Sequence, residues 1–165
     1  MMTVQQETHV VEPTANAMGI WFDFLNRVKD GFEGDSMSIE QFTECAQGYE
    51  NVLRETVDKV LVRDSIITFV IDEDFRQHWG RFPEIDFIRL SKRPDWALAR
   101  RVVCCLSFMG KNPHAMSASA MLNWWVGDND EANRLANEAL EIDGSLRLAV
   151  LMMNILMFDI VPPWK

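Results

Sequence analysis

An all-α domain, built as a packed array of helices, is what this sequence predicts, and three observations predict it. Apolar residues recur at spacings of three and four along most of the chain. Capping residues, proline and glycine punctuate those stretches where helices begin and end. The C-terminal stretches are joined by links of two to four residues, which force consecutive helices to pack antiparallel to near neighbours. With 165 residues and 48% apolar composition, one hydrophobic core is expected and disorder throughout is excluded.

The elements follow in order. Residues 1–13 mix Gln, Glu, Thr, His and Val and meet Pro13, so a flexible arm is expected there and a single helical domain over 14–165. Thr14 caps a helix reaching Lys29, with Met18, Trp21, Phe22, Leu25 and Val28 on one face. Gly31, Gly34, Asp35 and Ser36 stop it. Ser38 followed by Gln41 fits a capping box, opening a second helix that runs through Ile39, Phe42, Cys45 and Ala46 toward Tyr49. A long central helix spans residues 51–71, and a fully buried strand over 66–71 is the alternative for its β-branched end. These N-terminal helices fill 14–72. Residues 73–93 form an irregular joint with Trp79, Gly80, Phe82 and Pro83 and room for one short helix. The C-terminal helices fill 94–160. Pro94 starts the first, which ends at Gly110, and Asn112 with Pro113 opens the next, which stops at Gly127. Asp128 to Asp130 cap a helix over 131–142, and Asp143 to Ser145 turn the chain into the last, over 146–158, before Pro162 and Pro163.

Charge is unevenly distributed. The formal net charge is −9, and residues 1–60, 61–110 and 111–165 carry −7, +1 and −3. An acidic first third repels a phosphate polymer, so nucleic-acid binding is disfavoured. Cys45, Cys104 and Cys105 are an odd set whose last two are vicinal, which suits a reducing, cytoplasmic setting. Residues after Met1 and Met2 are polar, unlike a secretion signal, and Leu148 to Met153 is far too short for a membrane helix.

Candidate chemistry is sparse. His9, His78 and His114 lie far apart and lack a Cys or second His at ligand spacing, so no metal site is expected. Phosphate-cradling glycine loops and a Gly-x-Ser-x-Gly elbow are missing, and no cofactor or catalytic set is assigned. The carboxylate pairs Asp72 with Asp74 and Asp128 with Asp130 sit where they favour helix starts. Cys104 and Cys105 fall in an apolar helix and read as small hydrophobes. Arg63 and Asp64 stand among apolar residues and are expected to form a structural ion pair, with Arg63 reaching an acid on a neighbouring helix. The basic cluster Arg89, Lys92, Arg93, Arg100 and Arg101 is expected to neutralise acids of the same chain.

Six Trp are many for this length. Trp124 and Trp125 are about 100° apart on a helix, so at most one is expected to point squarely into the core. With Trp79, Phe82, Phe87 and Trp164 they form the candidate surface for a protein partner or a homodimer contact.

Two resemblances add to this. Trp124 to Ala132, followed by Ala136 and Ala139 to Gly144, resembles the second half of a tetratricopeptide repeat, because Gly127, Ala132, Ala139 and Gly144 fall at that repeat's spacings of five, seven and five. Residues 114–149 thus resemble a single tetratricopeptide-like hairpin. More widely, Trp21, Leu25, Val62 to Ile67, Ala120 to Trp125, Gly127-Asp128, Ala132-Asn133, Ala139-Leu140, Asp143, Leu148-Ala149 and Val161 to Pro163 resemble the domain-of-unknown-function family four-one-nine-two of actinobacteria and their phages. The match spans about residues 20–163 and is strongest after Ala115. It corresponds to that family's helical C-terminal half, and it implies no activity or catalytic residue. A non-catalytic protein-interaction module, phage-encoded and acting on a host protein, is therefore the leading expectation. The alternatives are an enzyme or small-molecule site assembled around His114, Cys104 and Arg101, and an acidic nucleic-acid mimic that blocks a DNA-binding protein.

Overall fold

Two helices of this chain are apolar around nearly their whole circumference, and such helices have to be surrounded. The computed structural model describes residues 5–78 and 90–165, with side chains from residue 16 onward. Nine helices and no strand occur among the described residues: α1 (Gln5–Asp30), α2 (Ile39–Cys45), α3 (Glu50–Thr56), α4 (Val60–Ile71), α5 (Glu73–Gln77), α6 (Trp96–Ser107), α7 (Pro113–Val126), α8 (Asn129–Ile142) and α9 (Arg147–Met157). The fold is all-α. Among the described residues, no helix is long and apolar enough to cross a membrane.

The first surrounded helix is α4. Val62, Ser65, Ile66, Ile67, Phe69 and Val70 are buried over somewhat more than half of its circumference, with Asp64, Thr68 and Ile71 partly buried on the remaining side and Val60 and Leu61 exposed at its start, and it packs on α1, α5, α6 and α7. Residues 66–71 are therefore helix. The second is α7, where Ala115, Ala118, Ala120, Leu122, Trp124 and Trp125 are buried and the neighbours are α4, α6, α8 and α9. Amphipathic α8 meets α7 through Ala132, Ala136 and Ala139, all fully buried, and residues this small let the two helix axes come close. At the other end, α1 contributes Trp21, Phe24, Leu25 and Val28, with Trp21 edge-on to Phe24 at 5.6 Å and its indole N–H donating to Thr56 Oγ1 at 2.9 Å.

Local signals set most helix ends. Both halves of the Ser38–Gln41 capping box form, at 3.1 and 2.9 Å. Asn112 Oδ1 accepts from the His114 and Ala115 N–H groups, with Pro113 as the first helical residue. Gly127, at φ 93°, ends α7: the Asp128 N–H donates to the Asn123 carbonyl at 2.8 Å and the Gly127 N–H to that of Trp124 at 3.0 Å.

Three boundaries differ from expectation. Helix α1 begins at Gln5 and runs through Pro13, where Thr14 was expected to start it. Gln and Glu before the proline are good helix formers, and a single missing N–H does not stop the run. Residues 1–4 lie outside the described residues. The long helix over 51–71 is instead α3 and α4, broken at Val57–Lys59. With the break, α3 packs mainly on α1 while α4 packs on α1, α5, α6 and α7. Pro94 is not in the first turn of α6, because Asp95 caps that helix by accepting the Leu98 N–H at 2.9 Å.

Arginines tie helix ends to neighbouring helices. Arg101, on α6 and buried, donates to the carbonyls of Val28 (3.1 Å), Lys29 (3.3 Å) and Gly34, at and just after the last turn of α1. Arg27 reaches the Cys45 carbonyl at the end of α2, Arg54 that of Phe108 after α6, and Arg76 those of Phe69 and Val70 in α4. Each places a cation at the negative end of a helix and satisfies carbonyls that lack an intrahelical partner. Arg101→Ala is expected to cost about 3 kcal/mol in urea denaturation and Arg101→Lys about 2, since an ammonium cannot span three carbonyls. A loss below ~0.5 kcal/mol for both would show that this tie does not hold α1 to α6.

Candidate protein-interaction surface

The tryptophans hold the C-terminal end together. Trp124 and Trp125 are both buried, although only one was expected inside. The reason is that α7 is covered on two sides: Ala120, Ala132, Ala136 and Met152 join both indoles in one cluster. Residues 100° apart can then both be core. The Trp124 N–H donates to the Ile160 carbonyl at 2.8 Å, Trp164 to that of Trp125 at 2.8 Å, and Trp96 to that of Val126 at 3.1 Å. Trp96 and Trp164 meet edge-on at 5.5 Å. The side chains of Trp96, Trp124 and Trp164 clasp the segment after α9 onto α6 and α7. Of the aromatics proposed to bind a partner, Trp124 and Trp125 are consumed by packing and Trp164 is half-buried. Trp79, Phe82 and Phe87 lie outside the described residues.

Arg63 and Asp64 do pair, but with each other. Arg63 Nε and Nη2 donate to Asp64 Oδ1 at 2.9 and 2.8 Å, where an acid on a neighbouring helix had been expected. Asp64 sits at the surface edge of α4, so the buried Arg63 stem folds its guanidinium back to it. Of the basic cluster, Arg100 faces Asp35 at 3.6 Å, Arg93 lies over the Trp96 ring at 5.3 Å, and Arg101 binds carbonyls instead of acids. Arg89 lies outside the described residues.

His114, Cys104 and Arg101 face different surroundings. Arg101 is directed at the end of α1, while His114 sits in the first turn of α7. Burial pushes the Cys45 thiol up to about 11, with Glu44 adding to the rise and Arg27 opposing it, and burial pushes Cys105 higher still. A thiol held protonated is a poor nucleophile at neutral pH. No three His, Cys, Asp or Glu side chains cluster as metal ligands among the described residues. The open groove between α1 and α2 has Arg27 as its cation, and that group is already engaged by Cys45, Asp23 and the Tyr49 ring.

The outer face of α9 is a surface that the tryptophan count did not point to. Leu148, Ala149 and Met152 face inward, with Met153, Ile155 and Leu156 at the flanks. Arg147, Val150, Leu151, Asn154, Met157 and Phe158 are exposed, and at 100° per residue they fall within an arc of about 120°. Met157 and Phe158 are 68% and 71% exposed, and Ile160 and Val161 continue the apolar surface beyond the helix. The turn that positions them is strained. The Ile160 N–H donates to the Ile155 carbonyl and the Asp159 N–H to that of Leu156, a closure that puts Asp159 at φ 50°, where glycine is the ordinary choice. A sequence signal for this face exists: the eleven residues Leu148 to Phe158 contain no charge, and one packed side cannot bury them all.

Two measurements check this geometry. Trp164→Ala, which removes the bond to the Trp125 carbonyl and the edge contact with Trp96, is expected to lower stability by about 2 kcal/mol, and an unchanged melting temperature would dissolve the clasp. In an aromatic-disulfide titration at pH 7.5, Cys45 and Cys105 are expected to react only after denaturant is added. Rapid reaction of all three thiols in the native protein contradicts their burial. No family model, no curated protein and no solved structure matches the chain.

Proposed function

We propose that this protein is a non-catalytic docking module that binds another polypeptide through the outer face of α9 and the turn that follows it. One observation carries this reading: Val150, Leu151, Met157, Phe158, Ile160 and Val161, each between 41% and 71% exposed, form an apolar surface on a helix and turn fixed by indole hydrogen bonds. At on the order of 600 Å², that surface is at the top of the range for the largest apolar patch of a soluble monomer, and patches of this kind mark interaction sites. Because the tail is clasped beforehand, binding requires little ordering of the surface, which lowers its entropic cost. The three free cysteines suit a reducing compartment as the place where it works.

Immobilised wild-type protein and a Leu151→Asp, Phe158→Asp double variant, compared for retention of protein from source-cell extract, test the reading. Circular dichroism and melting establish first that the variant is folded. A polypeptide held by the wild type and weakened at least ~10-fold in the variant is the expected result, corresponding to about 1.4 kcal/mol of lost contact. Equal retention by both, or none by a wild type that also stays monomeric, overturns it.

A further inference from the structure

We propose that the polypeptide covering the α9 face is a second copy of this chain, paired antiparallel about a two-fold axis at Asn154; this rests on the docking reading above. Four properties of the face select a copy of itself. First, Asn154 is the polar residue in the middle of an otherwise apolar stripe. A foreign apolar helix laid there would bury its amide without a partner, whereas a two-fold axis at that position sets one Asn154 against the other, each amide able to donate and accept. A single asparagine in an apolar seam is the pattern that fixes register and partner number between paired helices.

Second, the charges at the two ends of the stripe are opposite. Arg147 lies seven residues before Asn154 and Asp159 five after it. Antiparallel pairing about Asn154 brings the Arg147 end of each copy to the end of α9 in the other, beyond which Asp159 lies. Parallel pairing would set like charges side by side. The match also gives Asp159 a partner, although it sits at the negative end of α9 in a left-handed conformation.

Third, a chain of net charge −9 repels its own kind over most of its surface, and this face has no acid between Arg147 and Asp159. Self-association through it avoids setting acid against acid. Fourth, two such faces remove on the order of 1,200 Å² from water, the lower edge of the range for specific interfaces. An interface at that edge of the range is expected to be reversible on dilution, with a dissociation constant on the order of 1–100 µM.

Sedimentation equilibrium of the full chain between ~1 and ~300 µM reads this directly, with a rise from 19.1 kDa toward twice that mass as the expected result. Leu151→Asp and Phe158→Asp, each verified as folded, are expected to raise the dissociation constant at least ~10-fold. Orientation is read by mild copper oxidation. Asn154→Cys is expected to cross-link to itself and Arg147→Cys is not, with the unmodified chain controlling for its own three thiols. A monomer over the whole range overturns the proposal, as does a dimer indifferent to Leu151→Asp or efficient self-cross-linking of Arg147→Cys. Should the monomer nonetheless retain a different polypeptide through residues 151 and 158, self-pairing falls while the docking reading stands.

Discussion

The need to enclose α4 and α7 governs this structure. A helix with apolar side chains on every side gains little in water from one contact and much from complete coverage, since each fully buried Ile, Leu or Phe contributes on the order of 2 kcal/mol. Covering α4 takes α1, α5, α6 and α7, and covering α7 takes α4, α6, α8 and α9. The two share a contact, so they form one spine. Breaking the chain at Val57–Lys59 and placing alanines along the inner side of α8 both serve that enclosure. Among the described residues, Ile39, Val60, Leu61 and Ile142 are exposed singly or in pairs, whereas Val150, Leu151, Met157 and Phe158 share the outer side of the last helix, α9, whose inner side is used.

Arginines resolve the cost that such packing creates. Helix ends pressed against neighbours carry carbonyls that water no longer reaches fully, and a buried acceptor without a donor is expensive. Arg27, Arg54, Arg76 and Arg101 answer this by crossing from one element to the terminal carbonyls of another or, for Arg76, of the preceding helix. Salt bridges among the described residues are mostly exposed, as Arg134 with Glu131 and Glu138 is, and contribute little to holding helices together.

Signals acting within a few residues were legible in the sequence. Ser38 with Gln41, Asn112 with Pro113, and Gly127 with Asp128 mark helix ends through chemistry that needs no knowledge of the fold. The helical state of residues 66–71 needed only the period of the preceding turns. Features set by neighbours were not legible. Whether Trp124 and Trp125 could both be buried depended on α8 and the C-terminal turn closing on α7 from two sides, and Arg63 found its acid one residue away because Asp64 was already at an edge. The α9 face is carried by aliphatic residues and Met more than by aromatic ones, and its signal is that the eleven uncharged residues Leu148 to Phe158 exceed what one inner side of a short helix can bury.

Enclosure and the exposed face of α9 are thus two outcomes of one distribution of apolar residues: spine helices with enough neighbours, and an outer helix with one side to spare. Amide hydrogen exchange across a protein concentration series tests this most directly, because it reads both in one measurement. The slowest amides are predicted in α4 and α7 at every concentration, with protection over 150–158 rising as concentration rises. Exchange in α4 or α7 faster than in α1, with the α9 amides indifferent to concentration, would contradict it.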